Sequence, residues 1–103
     1  KVSFANEIYQ ICQAVDVSYE EVLSLALQDP RLMQTHFLVP GPDGKYGFGG
    51  VCFPKDLNAF ISFAQDNNVD TTMLSAAWNK NLLVREDCEW LTMEGRAISK
   101  KEK

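Results

Sequence analysis

The chain has 103 residues, 46% of them apolar and 11% aromatic, which suits one small domain with a buried core and is too short for two. Ten Lys and Arg oppose fourteen Asp and Glu, a net charge of −4, and residues 96–103 hold four of those bases and one acid, so six bases face thirteen acids in the rest. That balance disfavours nucleic-acid binding through phosphate neutralisation, and no apolar run approaches the ~20 residues of a membrane span.

Three cysteines without a C-x-x-C spacing, and a single His, argue against a disulfide framework or a zinc site. A reducing, cytoplasmic setting is expected. The chain begins on Lys1, so a segment upstream is expected as well.

Residues 2–15 predict the first helix, because Phe4, Ile8, Ile11, Cys12 and Val15 recur at the helical period. Phe4, Ala5, Ile8, Tyr9, Ile11 and Cys12 cover a broad arc of it. Either this helix has a second packing surface, for another domain or subunit, or it is buried centrally in its own domain. Ser18 and Glu21 form a capping box, which predicts a second helix over 19–27 with Val22, Leu25 and Ala26 inward, stopped by Asp29-Pro30.

Residues 32–51 read as irregular, with turn chemistry at Val39-Pro40-Gly41-Pro42-Asp43-Gly44 and further glycines at 47, 49 and 50. The aromatics Phe37, Tyr46, Phe48 and Phe53 argue that this long loop is ordered. Pro54 suits the first turn of a third helix, ending at Asn67-Asn68, with Leu57, Phe60, Ile61 and Ala64 as its apolar face. Thr71 or Thr72 should cap a fourth, with Leu74, Ala77, Trp78, Asn81 and Leu82 on one side. That helix either runs on through Trp90 or breaks near Glu86–Asp87. Gly95 punctuates, and residues 96–103 read as a solvated tail after a helical domain over 1–95. No segment alternates as a strand would, so the fold class is all-α: about four helices with a long Gly/Pro-rich loop.

Gly47-Phe48-Gly49-Gly50-Val51-Cys52-Phe53-Pro54-Lys55-Asp56 is where chemistry concentrates. Glycines let backbone N–H groups approach a ligand, and a helix N-terminus brings partial positive charge that suits a thiolate or a developing oxyanion. Lys55 adds a full charge. Asp56 follows Cys52 by one helical turn, so its carboxylate can share a cleft with the thiol. A thiol nucleophile, a cation and a carboxylate within five residues are the parts of a thioester route. A lone cysteine is also often a small buried hydrophobe, and Pro-Lys-Asp caps a helix without any catalysis. Cys12, on the apolar stripe, should be core, and Cys88 half-buried. His36 reads as a surface residue.

The stretch 47–56 resembles the catalytic-cysteine motif of the UDP-glucose/GDP-mannose dehydrogenase family, in its UDP-glucose 6-dehydrogenase branch. Val2-Ser3-Phe4-Ala5-Asn6-Glu7-Ile8, Asp29-Pro30-Arg31, Val39-Pro40-Gly41-Pro42-Asp43-Gly44 and Ala76-Ala77-Trp78-Asn79-Lys80-Asn81-Leu82 match in the same order. The resemblance covers nearly the whole chain. It implies oxidation of a sugar C6 alcohol to a carboxylate in two NAD-dependent steps, through a cysteine thiohemiacetal and a thioester that water hydrolyses.

The motif puts the nucleophile at Cys52 and the water-handling carboxylate at Asp56. Arg31, Phe37, Pro40, Gly41, Tyr46, Phe48, Gly49 and Lys55 are the implied substrate-binding positions, Arg31 by reaching into a neighbouring subunit. The resemblance also implies a central, helical, homodimer-forming domain, 6-phosphogluconate-dehydrogenase-C-terminal-like in fold, with the first helix at the dimer contact. The flanking nucleotide-binding domains, and with them NAD, would lie outside this chain. Indeed no Gly-x-Gly-x-x-Gly follows a strand pattern here. The family's Lys-x-x-x-Asn pair does not fit Lys1 and Asn6, which therefore receive no role. Expected partners are a UDP-sugar and a second copy of the chain, with no nucleic acid and no membrane. Two other readings stand beside this one: a dimerisation or interaction module without catalysis, and a domain from a GDP-mannose-type dehydrogenase.

Overall fold

In the computed structural model, which describes residues 1–92, the elements are four α-helices and one short 3₁₀ turn, with no strand among the described residues. The helices are α1 (Val2–Ala14), α2 (Tyr19–Ala26), α3 (Cys52–Asp66) and α4 (Thr72–Val84), and the 3₁₀ turn spans Glu89–Thr92. The all-α class is thus the one the sequence predicts. The tail expected over 96–103 and the break at Gly95 lie outside the described residues. The chain divides into two compact units, Lys1–Gly47 and a second that begins at Phe48.

In the first unit α1 packs on α2. α1 ends in a Schellman motif: Asp16 takes the left-handed conformation (φ 58°), Asp16 N–H donates to Gln13 C=O, and Val17 N–H to Cys12 C=O. Ser18 caps α2, its hydroxyl accepting from Glu21 N–H at 3.3 Å, as the capping-box spacing predicts. The inward faces differ from the apolar stripes. Cys12 is buried as expected, but so are Ser3, Ala5 and Asn6, while Phe4, Ile11, Val15 and Leu25 are exposed.

The reason is the loop. Its backbone carries N–H groups that need acceptors, so the helix face beneath it is small or polar rather than large and apolar. Asn6 Oδ1 accepts from Gly47 N–H at 3.1 Å, and Asn6 Nδ2 donates to Val2 C=O at 2.8 Å. Tyr19 is buried and donates its hydroxyl to Phe37 C=O at 2.6 Å. An apolar groove of about 180 Å³ opens beside it, lined by Phe4, Ile8, Tyr19, Leu23, Leu32 and Phe37 among others.

The second unit is built on the α3–α4 hairpin. α3 also closes with a Schellman motif, at Asn68 (φ 61°), with Asn68 N–H on Gln65 C=O and Val69 N–H on Ala64 C=O. Thr71 is the N-cap residue of α4, but its side chain does not cap. Asp70 Oδ1 takes the Thr72 N–H at 2.7 Å, along with the Thr72 hydroxyl, and these bonds hold the Asp70 carboxyl below its ordinary range. The Thr71 hydroxyl instead accepts from Gln65 Nε2 (3.2 Å) and meets Ser75 Oγ (3.0 Å), tying α3 to α4. α4 stops at Val84, close to the predicted break. Pro54, Asn81, Arg85 and Trp90 are buried, whereas Phe60 and Leu82, expected inward, are exposed. Within this unit α3 packs on α4, and Phe53, Phe60 and Phe63 of α3 are exposed.

Candidate active site

The second unit holds the residues that carry the candidate chemistry. Cys52 is the first residue of α3 and is exposed, so the thiol stands at a helix N-terminus and faces solvent. Pro54 occupies the first turn, where a missing N–H costs no helical hydrogen bond. Lys55 and Asp56 follow on the same turn, both exposed, with Lys55 Nζ 3.5 Å from Asp56 Oδ1. An ion pair this open contributes little to stability. It sets a cation and a carboxylate beside each other, one turn from an exposed thiol.

The loop leading to Cys52 is held by side chains from the end of α4 and beyond. Asn81 has no exposed surface. Its Oδ1 accepts from Phe48 N–H at 2.8 Å and its Nδ2 donates to Phe48 C=O at 2.9 Å, so one carboxamide satisfies a whole peptide residue. The Phe48 ring lies edge-on to Phe53, at 5.9 Å between centroids, and tilts against Trp78 at 6.1 Å; Trp78 meets Trp90 at 5.2 Å. Gly50 has φ 77°, a conformation that favours glycine, and its N–H donates to Glu89 Oε1 at 3.0 Å.

Gly49 is set close for a different reason: a Cβ there would fall on the Glu89 carboxylate and within 2.7 Å of Arg85 Cζ, so both side chains would have to shift. Arg85 Nη2 donates to Glu89 Oε1 at 2.7 Å. Cys88 is half-buried, as expected.

The first unit holds the other predicted positions. Arg31 is exposed and grips Asp29, donating from Nε to Oδ1 (3.0 Å) and Oδ2 (3.3 Å) and from Nη2 to Oδ2 (2.8 Å). That side-chain pairing, with the Arg31 N–H on Oδ1, holds the Asp29 carboxyl below its ordinary range and raises the guanidinium. Phe37 is buried, with Lys1 Nζ 4.8 Å above its ring. Pro40 follows a cis peptide bond, and Gly41 opens a small closed turn in which Gly41 N–H donates to Lys45 C=O and Gly44 N–H to Gly41 C=O, both at 2.9 Å. Tyr46 is exposed, its hydroxyl 3.5 Å from that of Tyr9. The side-chain hydrogen bond to Tyr46, followed by burial, raises the Tyr9 phenol above its ordinary value.

Sequence reasoning missed Asn6, Arg85 and Glu89, and placed Asn81 on the correct face without its task. For Asn6 and Asn81 the signal was a polar residue at an inward helical position, which periodicity reads as noise; Arg85 and Glu89 lie past the end of α4 and gave none.

Residues 1–82 match the UDP-glucose/GDP-mannose dehydrogenase family, central domain, and the chain belongs to that family. YtcA of Bacillus subtilis (strain 168) is 40% identical over 81 residues, which is 79% of this chain and 18% of that protein. A GDP-mannose 6-dehydrogenase of Pseudomonas syringae pv. tomato is 38% identical over 82 residues, again 79% of this chain and 18% of the relative. A UDP-glucose 6-dehydrogenase of Pseudomonas aeruginosa is 36% identical over 86 residues, 84% of this chain and 18% of the relative. The chain therefore spans under a fifth of the length of these curated relatives. No solved structure matches it. No helix among the described residues is long and apolar enough to cross a membrane.

Proposed function

We propose that residues 1–95 are the central domain of a UDP-glucose 6-dehydrogenase, residues 96–103 a tail or linker, and Cys52 the nucleophile. The observation that carries this is an exposed cysteine at the first position of α3, directly after the Gly49–Gly50 turn and with Lys55 and Asp56 on the same helical turn. The Cys52 thiolate adds to the C6 aldehyde carbon of the sugar, and the carbonyl oxygen takes the charge and then a proton, giving a thiohemiacetal. Once that adduct has been oxidised to the thioester, water attacks its carbonyl and the carbon–sulfur bond breaks, freeing Cys52. Asp56 holds that water and takes its proton. Arg31, Phe37, Pro40, Gly41, Tyr46, Phe48, Gly49 and Lys55 form the proposed sugar-nucleotide contacts.

The oxidant implied is NAD. Its chemistry is to accept hydride. The described residues include no strand and hence no βαβ unit to seat a dinucleotide, so they do not fit that group. We place its seat in the four-fifths of the relatives' length that this chain does not cover. The isolated 103-residue chain is then expected to form no NADH from UDP-glucose, in the cytoplasmic conditions assumed for the whole protein.

The exposed apolar residues Phe4 and Ile11 of α1, with Val15 at its C-cap, support a homodimer contact there, and equally an interaction module without catalysis. The relatives carry both UDP-glucose and GDP-mannose names at similar identity, so the sugar is decided by assay. In a longer protein carrying this chain, NAD reduction should proceed with UDP-glucose, fall at least about a thousandfold in Cys52→Ala, and be much slower with GDP-mannose. Undiminished turnover in Cys52→Ala would refute the catalytic reading and leave the interaction module. Faster turnover with GDP-mannose would reassign the substrate.

A further inference from the structure

Three observations meet at one carboxylate. Glu89 Oε1 accepts from Gly50 N–H at 3.0 Å and from Arg85 Nη2 at 2.7 Å. Arg85 is only 4% exposed, and its Nε donates to Asp87 C=O at 3.3 Å. Gly49 leaves no room for a Cβ against these same two side chains. Both Arg85 and Glu89 lie beyond residue 82, where the family match ends.

A buried guanidinium keeps its charge and needs a carboxylate partner with satisfied hydrogen bonds. Glu89 is that partner, and its shared oxygen also reaches the backbone. The N–H it takes belongs to a left-handed glycine two residues before Cys52. Held at Gly50, the chain has little freedom left before it enters α3 at Cys52.

We infer that Arg85 and Glu89 are positioning residues: Arg85 orients the Glu89 carboxylate, Glu89 pins the Gly49–Gly50 turn, and the pinned turn sets the Cys52 end of α3. The part of this that concerns reaction geometry rests on the reading of Cys52 as the nucleophile. The functional unit therefore extends past the family-matched stretch, to the 3₁₀ turn that carries Glu89.

The test compares Glu89→Ala and Glu89→Gln in the full chain, with two readouts. One is amide hydrogen exchange at Gly50. The other is iodoacetamide labelling of Cys52 in the folded chain relative to the urea-unfolded chain, resolved by peptide mass spectrometry. Glu89→Ala should raise Gly50 exchange by about tenfold or more, since a charged hydrogen bond is lost. It should also lower the folded-to-unfolded labelling ratio of Cys52 by about two- to fivefold, the size of a helix-terminus effect. Glu89→Gln keeps a carbonyl oxygen for Gly50 but removes the carboxylate that the buried Arg85 needs, so both readouts should fall between wild type and Glu89→Ala, which separates positioning from loss of folding.

Unchanged Gly50 exchange in Glu89→Ala would overturn the inference. So would raised exchange with an unmoved Cys52 ratio, because the bond would then be structural only. A wild-type Cys52 ratio no higher than one would refute the catalytic reading instead, while Gly50 exchange still decides whether the clamp exists.

Discussion

Replacing Asn81 with leucine removes the carboxamide that satisfies both backbone groups of Phe48, at 2.8 and 2.9 Å, while keeping the branched shape of the side chain with two bulkier methyl groups. Two hydrogen bonds are lost at about 1 kcal/mol each, and the partly buried Phe48 N–H and C=O are left short of partners, for a total of about 2–4 kcal/mol. Trp78 and Trp90 lie tilted against each other, with Phe48 against Trp78, so tryptophan fluorescence follows the unfolding of this unit directly. In urea the midpoint should fall with the slope unchanged.

Asn81→Asp sharpens the test. The introduced carboxylate still accepts from Phe48 N–H but sets its other oxygen against Phe48 C=O, in a fully buried place. Its folded pKa is raised, so it should cost more than leucine at pH 7 and recover stability as the pH falls and the new acid protonates. A loss below about 0.5 kcal/mol in Asn81→Leu would refute the claim that this side chain holds the loop.

Gly49→Ala should destabilise the second unit by about 1–3 kcal/mol through overpacking against Arg85 and Glu89, and Glu89→Ala should restore part of that in the double variant. Strict additivity in the urea midpoints would contradict the contact. Tyr19→Phe should cost about 1 kcal/mol at pH 7, from the hydrogen bond to Phe37 C=O. Burial, then the nearby Cys12, raises the Tyr19 phenol above its ordinary value, so the wild type should lose stability as pH rises past about 10. Phenylalanine should flatten that slope, and an identical alkaline slope in urea titrations would contradict it.

What the sequence made legible was local. The Ser18–Glu21 box, Asp29-Pro30, Pro54 and Asn67-Asn68 each act on their own backbone within a turn, and each sits at a helix end as read. Cys52 at a helix start was legible for the same reason. Inward faces were not, because burial depends on what packs opposite. Phe4 and Ile11 satisfy the helical period yet are exposed, whereas Asn6 and Asn81 are buried because loop amides 33 to 41 residues away in sequence need their side chains. The Arg85–Glu89 clamp is a tertiary match of the same kind: its residues declare nothing until Gly49 and Gly50 are set beside them.

The central claim is that Cys52 captures the sugar carbon and Asp56 completes hydrolysis. The most direct measurement is the mass of the Cys52 peptide after Asp56→Asn in the longer protein is incubated with UDP-glucose and NAD and quenched in acid. The account predicts an accumulated covalent sugar-nucleotide adduct on Cys52, absent in Cys52→Ala. An unmodified Cys52 peptide during continued NAD reduction would contradict it.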